Sequence, residues 1–191
     1  MIDITFSTKG VPENGSLLIA DPFASDNYFT RSVVLLCNHD EEGSFGFVLN
    51  NYIDVELHQL LPGFPKVETK VSIGGPVETD SIFFIHTLEA VDDGMDIGNG
   101  LKFGGTFSRM VEELTNNPAL INQVRFFMGY AGWSKNQLAR EMKSNGWIVS
   151  KEFNAKELFQ NFNIDLWREI MQKKGGKFKL MTDFPLDPSN N

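Results

Sequence analysis

One cysteine and three histidines are all that the 191-residue sequence offers of the side chains that most often carry thiol or metal chemistry. A lone thiol excludes an intrachain disulfide and fits a reducing compartment. His39, His58 and His86 are scattered, with no His-x-x-x-His or Cys-x-x-Cys spacing, so neither a metal site nor a cofactor is predicted. Positive charge is also short: 17 Lys and Arg against 25 Asp and Glu leave a net charge of −8. A duplex-DNA reader draws most of its affinity from cations clustered at phosphates, so direct DNA binding is disfavoured. The only dense basic run, Lys173, Lys174, Lys177 and Lys179, is interrupted by Gly175 and Gly176. It reads as a helix C-terminus, where cations suit the helix dipole. No stretch approaches the ~18 apolar residues that a membrane helix needs. The opening "MIDITFSTKGVPENGSLLIADPF" lacks a basic region followed by a long apolar run, the pattern of a secretory leader. The expectation is a cytoplasmic protein with no membrane association.

What is present is ordinary globular composition, 41% hydrophobic and 22% charged with 17 Phe, enough for one domain over 1–191 with a sizeable core. "GSLLIA" (15–20) and "RSVVLLCNH" (31–39) are apolar, β-branched runs ended by turns and read as strands. "FGFVLN" (45–50) makes a hairpin with the second of these. "DVELHQLLP" (54–62) has helical spacing, with Asp54 as N-cap and Pro62–Gly63 as stop. "KVSIGG" and "SIFFIHTL" are strands about a Gly-Gly-Pro turn, and "AVDDGMDIGNGLKFGG" is a polar hairpin loop and strand. "FSRMVEELTNNP" is a helix with Met110, Val111 and Leu114 facing inward; "QVRFFMGYAGW" is a strand. Ser134 and Gln137 form a capping box before a helix stopped by Asn145–Gly146. "WIVS", "NAKELF" and "DLWREIMQKKGG" supply a strand and two helices, the last closed by glycine. Strands come first and helices mostly last, which is mixed α+β rather than regular βαβ alternation.

Reactive residue types concentrate in "FTRSVVLLCNHDEEGSFGFVLNN" (29–51). On a straight strand over 31–39, Arg31, Cys37 and His39 share a face, because side chains alternate with period two. Cys37 and His39 would then be neighbours, while Arg31, ~20 Å from Cys37 along the strand, belongs to a separate cluster. A Cys–His pair can generate a thiolate nucleophile; equally, a lone Cys among Val and Leu is a small buried hydrophobe, and packing is the preferred reading. Asp40 to Gly43 lack the alternating ligands of a calcium loop. Gly74 and Gly75 in "GGPV" could expose successive N–H groups to an anion or could serve close packing. "GYAGW" (129–133) has glycines suited to a bulge or close backbone approach, with Trp133 covering the corner. No Ser or Cys stands at its centre, so it is no nucleophile elbow.

Several segments, in this order, resemble the YqgE/AlgH family of bacterial proteins, which has plastid relatives. They are "LLIADP" (17–22), "FTRSVVLLCNHDEEGSFGFVLN" (29–50), "IGGPV" (73–77), "FFIHT" (83–87), "GYAGWSKNQLAREMKSNGWI" (129–148) and "LWREI" (166–170). The resemblance implies an α+β fold with a bent, partly bifurcated β-sheet forming a pseudo-barrel packed with helices. It carries the label of transcriptional regulator but no agreed catalytic mechanism or ligand. The leading reading is a non-enzymatic regulatory or binding protein acting through a protein or small-molecule partner. Its expected groove lies near the "CNHDEEGSFGF" and "IGGPV" turns, with Arg31, Asn38, Gly74 and Gly75 as ligand-contact candidates. The alternative is a thiol-dependent enzyme or redox sensor using Cys37 with His39.

Overall fold

The computed structural model describes residues 4–5, 10–22, 28–144, 146–160 and 163–183. The first half of the chain is strand-rich: β1 (Ile4–Thr5), β2 (Leu17–Ala20), β3 (Val33–His39), β4 (Gly43–Val48), β5 (Tyr52–Ile53), α1 (Leu57–Leu60), β6 (Val71–Ile73) and β7 (Val77–His86). There follow β8 (Met95–Gly98), β9 (Leu101–Phe103), α2 (Phe107–Asn116), a 3-10 segment (Pro118–Gln123) and β10 (Val124–Ser134). The chain continues through α3 (Gln137–Lys143), β11 (Trp147–Ser150), β12 (Glu152–Phe153), α4 (Ala155–Gln160), α5 (Leu166–Lys174) and α6 (Gly176–Met181).

Ten of the strands make one sheet, in the order β11-β2-β3-β4-β10-β7-β9-β8, with β6 also on β10 and β5 on β6. All pairs are antiparallel except β6 with β10. The α+β class and the forked sheet agree with what the resemblance implies, but the sheet is not closed into a barrel: among the described residues β11 and β8 remain its two ends.

The fork is built on β10. Phe126, Phe127 and Met128 pair with β6 and, at the same time, with β7. A strand has only two edges, so β6 and β7 lie on opposite sides of β10. Residues 74–76 alone connect them. Two strands flanking a third are ~9.6 Å apart, so this short link has to pass directly over the β10 backbone. A Cβ on Gly74 would stand 2.3 Å from Gly129 O, and one on Gly75 would stand 2.1 Å from Tyr130 C. Gly129, at φ 68, sits where the β10–β7 register shifts, so the glycine expected to make a bulge does so. Beyond it, Ala131 to Ser134 pair with β4.

Both faces of the sheet are covered, as successive residues of β10 show: Phe126 enters one apolar cluster and Phe127 the other. The first cluster joins β2, β3 and β4 to Leu158 and to α5 through Leu166, Trp167, Ile170 and Met171. The second joins Val71, Phe84 and Phe126 to Met110 and Leu114 of α2. Arg125 is fully buried; its guanidinium donates to the carbonyls of Leu158 (2.8 Å) and Leu49 and to the Tyr52 hydroxyl. Burial lowers its pKa, yet a guanidinium stays charged, so these neutral oxygens carry its solvation.

Three local expectations change. The helix predicted over 54–62 is a single turn that starts after Glu56, not Asp54, and buries Leu57 while Leu60 is exposed. Ser134 is not an N-cap, because β10 extends through it to pair with Gly43, and the cap is Asn136 at φ 61. Half of the expected box survives, the Ser134 N–H donating to Gln137 Oε1 at 3.0 Å. Asn145 lies outside the described residues, and Gly175 closes α5 as expected, at φ 72, but that helix is not the last, since α6 follows it. No helix of the described residues is long and apolar enough to cross a membrane.

The crossing gives a direct test. Gly75→Ala cannot be accommodated without moving the β10 backbone, and should cost more than about 3 kcal/mol. For a chain of this size that lowers Tm by roughly 6–12 °C. A thermal melt within about 2 °C of wild type would show that the link does not press on β10.

Candidate functional site

A cleft of ≈ 580 Å³ opens where the β3–β4 turn, the start of β7 and the C-terminal half of β10 meet. Its floor is aromatic, made by Phe45 and Phe47 of β4, Phe83 of β7, Phe103 of β9 and Tyr130 of β10, while Trp133, whose ring packs on Phe29 and Trp147, borders it. Ring centroids lie 5.2 Å apart for Phe45 and Phe103, 5.7 Å for Phe83 and Tyr130, and 6.0 Å for Phe45 and Tyr130. β4 and β9 are three strand spacings apart in the sheet, ~14 Å on a flat one. Their phenylalanines touch because the sheet curls over the cleft. Gly132 leaves the middle of the floor open: a Cβ there would meet only side chains, Tyr130 Cε2 at 3.3 Å and Val77 Cγ2 at 3.7 Å.

The lip is polar and acidic, with Asp40, Glu42 and Glu78 among its residues. Asp40 organises the turn. Its Oδ1 accepts from the backbone N–H groups of Glu42 (2.8 Å) and Gly43 (3.1 Å), and its Oδ2 accepts from Asn38 Nδ2 (2.8 Å). These bonds, the one from Asn38 foremost, hold its carboxyl below the usual carboxylate range, as donors aimed at the ionised form must. Glu78 is held in the left-handed region at φ 49, an uncommon conformation for a residue with a side chain. Among the described residues no Lys or Arg lines the cleft; Lys135 reaches Glu42 from outside at 3.4 Å, an exposed pair that contributes little.

The groove expected near the two turns is therefore present, but the candidate residues are distributed differently. A bulge in β3 between Leu36 and Asn38 breaks the simple alternation on which Cys37 and His39 were paired. Asn38 and Asp40 face the cleft, whereas His39 does not line it. The His39 ring is hydrogen-bonded through Nδ1 to Ser44 Oγ at 2.7 Å, and the His39 backbone N–H donates to Asn14 Oδ1. Cys37 is fully buried in the apolar cluster, with Sγ 3.7 Å from the Leu35 carbonyl. Desolvation pushes its thiol pKa well above the ordinary range, the reverse of what activates a thiolate. Ser44 with His39 has the contact of a nucleophile and a base, but among the described residues no third group orients His39 Nε2.

Arg31 lies outside β3 altogether, in the left-handed region at φ 57, with its guanidinium 5.3 Å over the Trp167 ring. Gly74 and Gly75 are both buried in the crossing, and the Gly74 N–H is already donated to Met128 O at 2.8 Å. They shape the site from behind and do not line it. His86, considered as a metal ligand, is fully buried; its Nε2 lies 2.9 Å from Gly104 O and its Nδ1 accepts from the Leu88 N–H. No group of three or more His, Cys, Asp or Glu suited to a metal occurs among the described residues. Glu78, Phe83, Phe103, Tyr130 and Gly132 escaped sequence reasoning, although "FGF", "FF" and "GYAGW" signalled aromatics and glycine at the ends of three strands.

A model described as AlgH-like matches residues 17–179. The chain belongs to the AlgH-like family. It is similar to a UPF0301 protein of Bacteroides thetaiotaomicron, 36% identical over 97% of this chain and 94% of that one. A UPF0301 protein of Bacteroides fragilis is 37% identical at the same coverage. Among solved structures, a Corynebacterium diphtheriae protein matches with a TM-score of 0.76 and 26% identity over 93% of this chain and 95% of that one. The solution structure of AlgH from Pseudomonas aeruginosa matches with a TM-score of 0.69 and 23% identity, covering 90% and 94%; this likeness is one of fold. None of these names states an activity, so the family leaves the chemistry of the cleft to its own residues.

Two measurements check the placement of the reactive groups. Cys37 should resist iodoacetamide in the native protein and react rapidly once unfolded; fast native labelling would show the thiol to be exposed. Burial is the main cause lowering the His86 pKa. Between that lowered value and the ordinary one near 6.5, the unfolded chain binds a proton that the folded chain does not. Its stabilising contribution is thus intact above pH ~6.5 and lost as the pH falls. Urea unfolding should show a decline below that pH which His86→Gln reduces; an unchanged decline would remove His86 as its source.

Proposed function

We propose that this chain is a non-enzymatic binding protein with a regulatory role, one domain over 1–191 working in the cytoplasm, and that the cleft receives its partner. The observation that carries the reading is the pairing of an aromatic floor with a polar lip in a cleft of ≈ 580 Å³. Small-molecule sites share that construction, with volumes of ~300–1,000 Å³, so the partner is taken to be a small molecule. Binding is favoured over thiol chemistry because Cys37 is buried away from the cleft. The regulatory part rests on the label that the family resemblance carries. With a net charge of −8, output through another protein suits the chain better than contact with DNA.

A thermal-shift screen of metabolites against wild type and Gly132→Leu tests this reading. Leucine at 132 projects into the cleft while the backbone around it has room. A ligand at 100 times its Kd should stabilise wild type by about 2.7 kcal/mol, a Tm rise of roughly 5–11 °C, and leave the variant unmoved. Metabolites that stabilise both forms equally would place binding elsewhere in the molecule.

A further inference from the structure

We infer that the ligand of this cleft is a small organic cation, an ammonium group carried on an apolar body. The inference rests on the binding reading above and adds the chemistry of what is bound. An acidic lip alone would be an ordinary solvated surface. Here three carboxylates, Asp40, Glu42 and Glu78, border an aromatic-floored cavity that, among the described residues, no Lys or Arg lines. An anionic ligand would meet the Asp40 and Glu78 carboxylates, while Lys135 offsets only Glu42, and a neutral one would leave the lip's charge unused. A cation has two sources of attraction, the carboxylates and the negative faces of aromatic rings, which hold ammonium groups within ~6 Å of a ring centroid.

The two parts of the site are arranged for a ligand with two ends. Phe45, Phe83, Phe103 and Tyr130 are half-buried and offer the floor to an aliphatic or aromatic body. Asp40 is fixed in its charged form and position by Asn38 and two backbone N–H groups, so it keeps a localised negative charge at the turn without needing a ligand to order it. Glu78, from the start of β7, adds a carboxylate from a second element. The curl that brings β4 against β9 sets the depth between floor and lip. The volume suits a small molecule, which is why a free amine is preferred to a basic side chain of a protein.

The probes are phenethylamine, the neutral phenethyl alcohol and the anionic 3-phenylpropionate, titrated into 15N-labelled full-length protein, with tetralysine as a fourth arm. Phenethylamine should shift the amide signals of Gly43, Gly132 and Ser134, with the alcohol binding about tenfold more weakly and the carboxylate not at all. In Asp40→Asn/Glu78→Gln, the preference for amine over alcohol should shrink severalfold, the remainder coming from Glu42 and the ring faces. Asparagine keeps the acceptor that the Glu42 and Gly43 N–H groups use, and the Asn38 amide, turned over, can accept from the new Nδ2, so the turn is retained, and an unchanged spectrum elsewhere verifies folding. Equal binding of amine and alcohol by wild type would overturn the cationic assignment and leave the cleft as a binding site. Binding by none of the three phenyl probes would overturn it too, while the metabolite screen with Gly132→Leu decides the binding reading separately. Tetralysine shifting the same amides more strongly than phenethylamine would overturn the small-molecule source in favour of a basic protein segment.

Discussion

Strand β10 can serve three neighbours only because the chain at Gly74 and Gly75 lies directly on its backbone. β6 and β7 both pair with Phe126–Met128, so the three-residue link between them must climb over the strand it has just paired with. Contact at 2.1–2.3 Å from an added Cβ leaves no room for any residue but glycine at two successive positions. The bulge at Gly129 answers from below, since a Cβ there would stand 2.7 Å from Gly75 O and 2.8 Å from Val77 O. Crossing and bulge are thus a matched pair of missing side chains, and neither would be tolerated without the other.

From that contact the functional geometry follows. Once β6 has left the edge of β10, β4 takes it over from Ala131 onward, and the β3–β4 turn is carried to the same end of the sheet as the start of β7. The curl that results sets Phe45 against Phe103 and encloses a floor between strands that are not sheet neighbours. Trp133, whose indole N–H is donated to Glu141 at 2.8 Å, pins α3 behind the cleft. The cavity is a consequence of how one strand is shared.

Much of the fold was legible in the chain because it is written in local signals. The strands at 17–20 and 33–39, the hairpin to β4, the inward face of α2 and the bulge in "GYAGW" all follow from apolar runs, turn residues and glycine. What was not legible has non-local causes. "VVLLC" is apolar at every position, since both faces of the sheet are covered, so no alternation existed to reveal the bulge beside Cys37 that turned Asn38 rather than His39 toward the cleft. "IGGPV" was read as a turn between flanking strands, which it is. That the two strands stand astride a third, 50 residues later in the chain, depends on pairing that no local pattern encodes. Asp54 and Ser134 have the residue types of helix caps, but β10 runs on through Ser134, and after Asp54 the chain enters its helical turn only beyond Glu56.

The segments that mark the family therefore divide into two kinds of residue. Gly74, Gly75 and Gly129 are fixed by the crossing, and Gly43 by the backbone of Trp133, which an added Cβ would approach to 2.7 Å. The three glycines of the crossing shape the cleft without lining it, whereas Gly43 also stands in its wall. Asn38, Asp40, Ser44, Glu78 and Tyr130 face it, and the crossing places no steric demand on their side chains. Shape and chemistry are separable here, because the backbone contacts that build the cavity lie behind the side chains that line it. A relative could keep every glycine of the crossing and yet exchange the acids of the lip, which would preserve the cavity and change the charge of what it accepts. The glycines of the crossing thus account for the shape of the cleft, and the carboxylates of this particular chain for the charge at its lip.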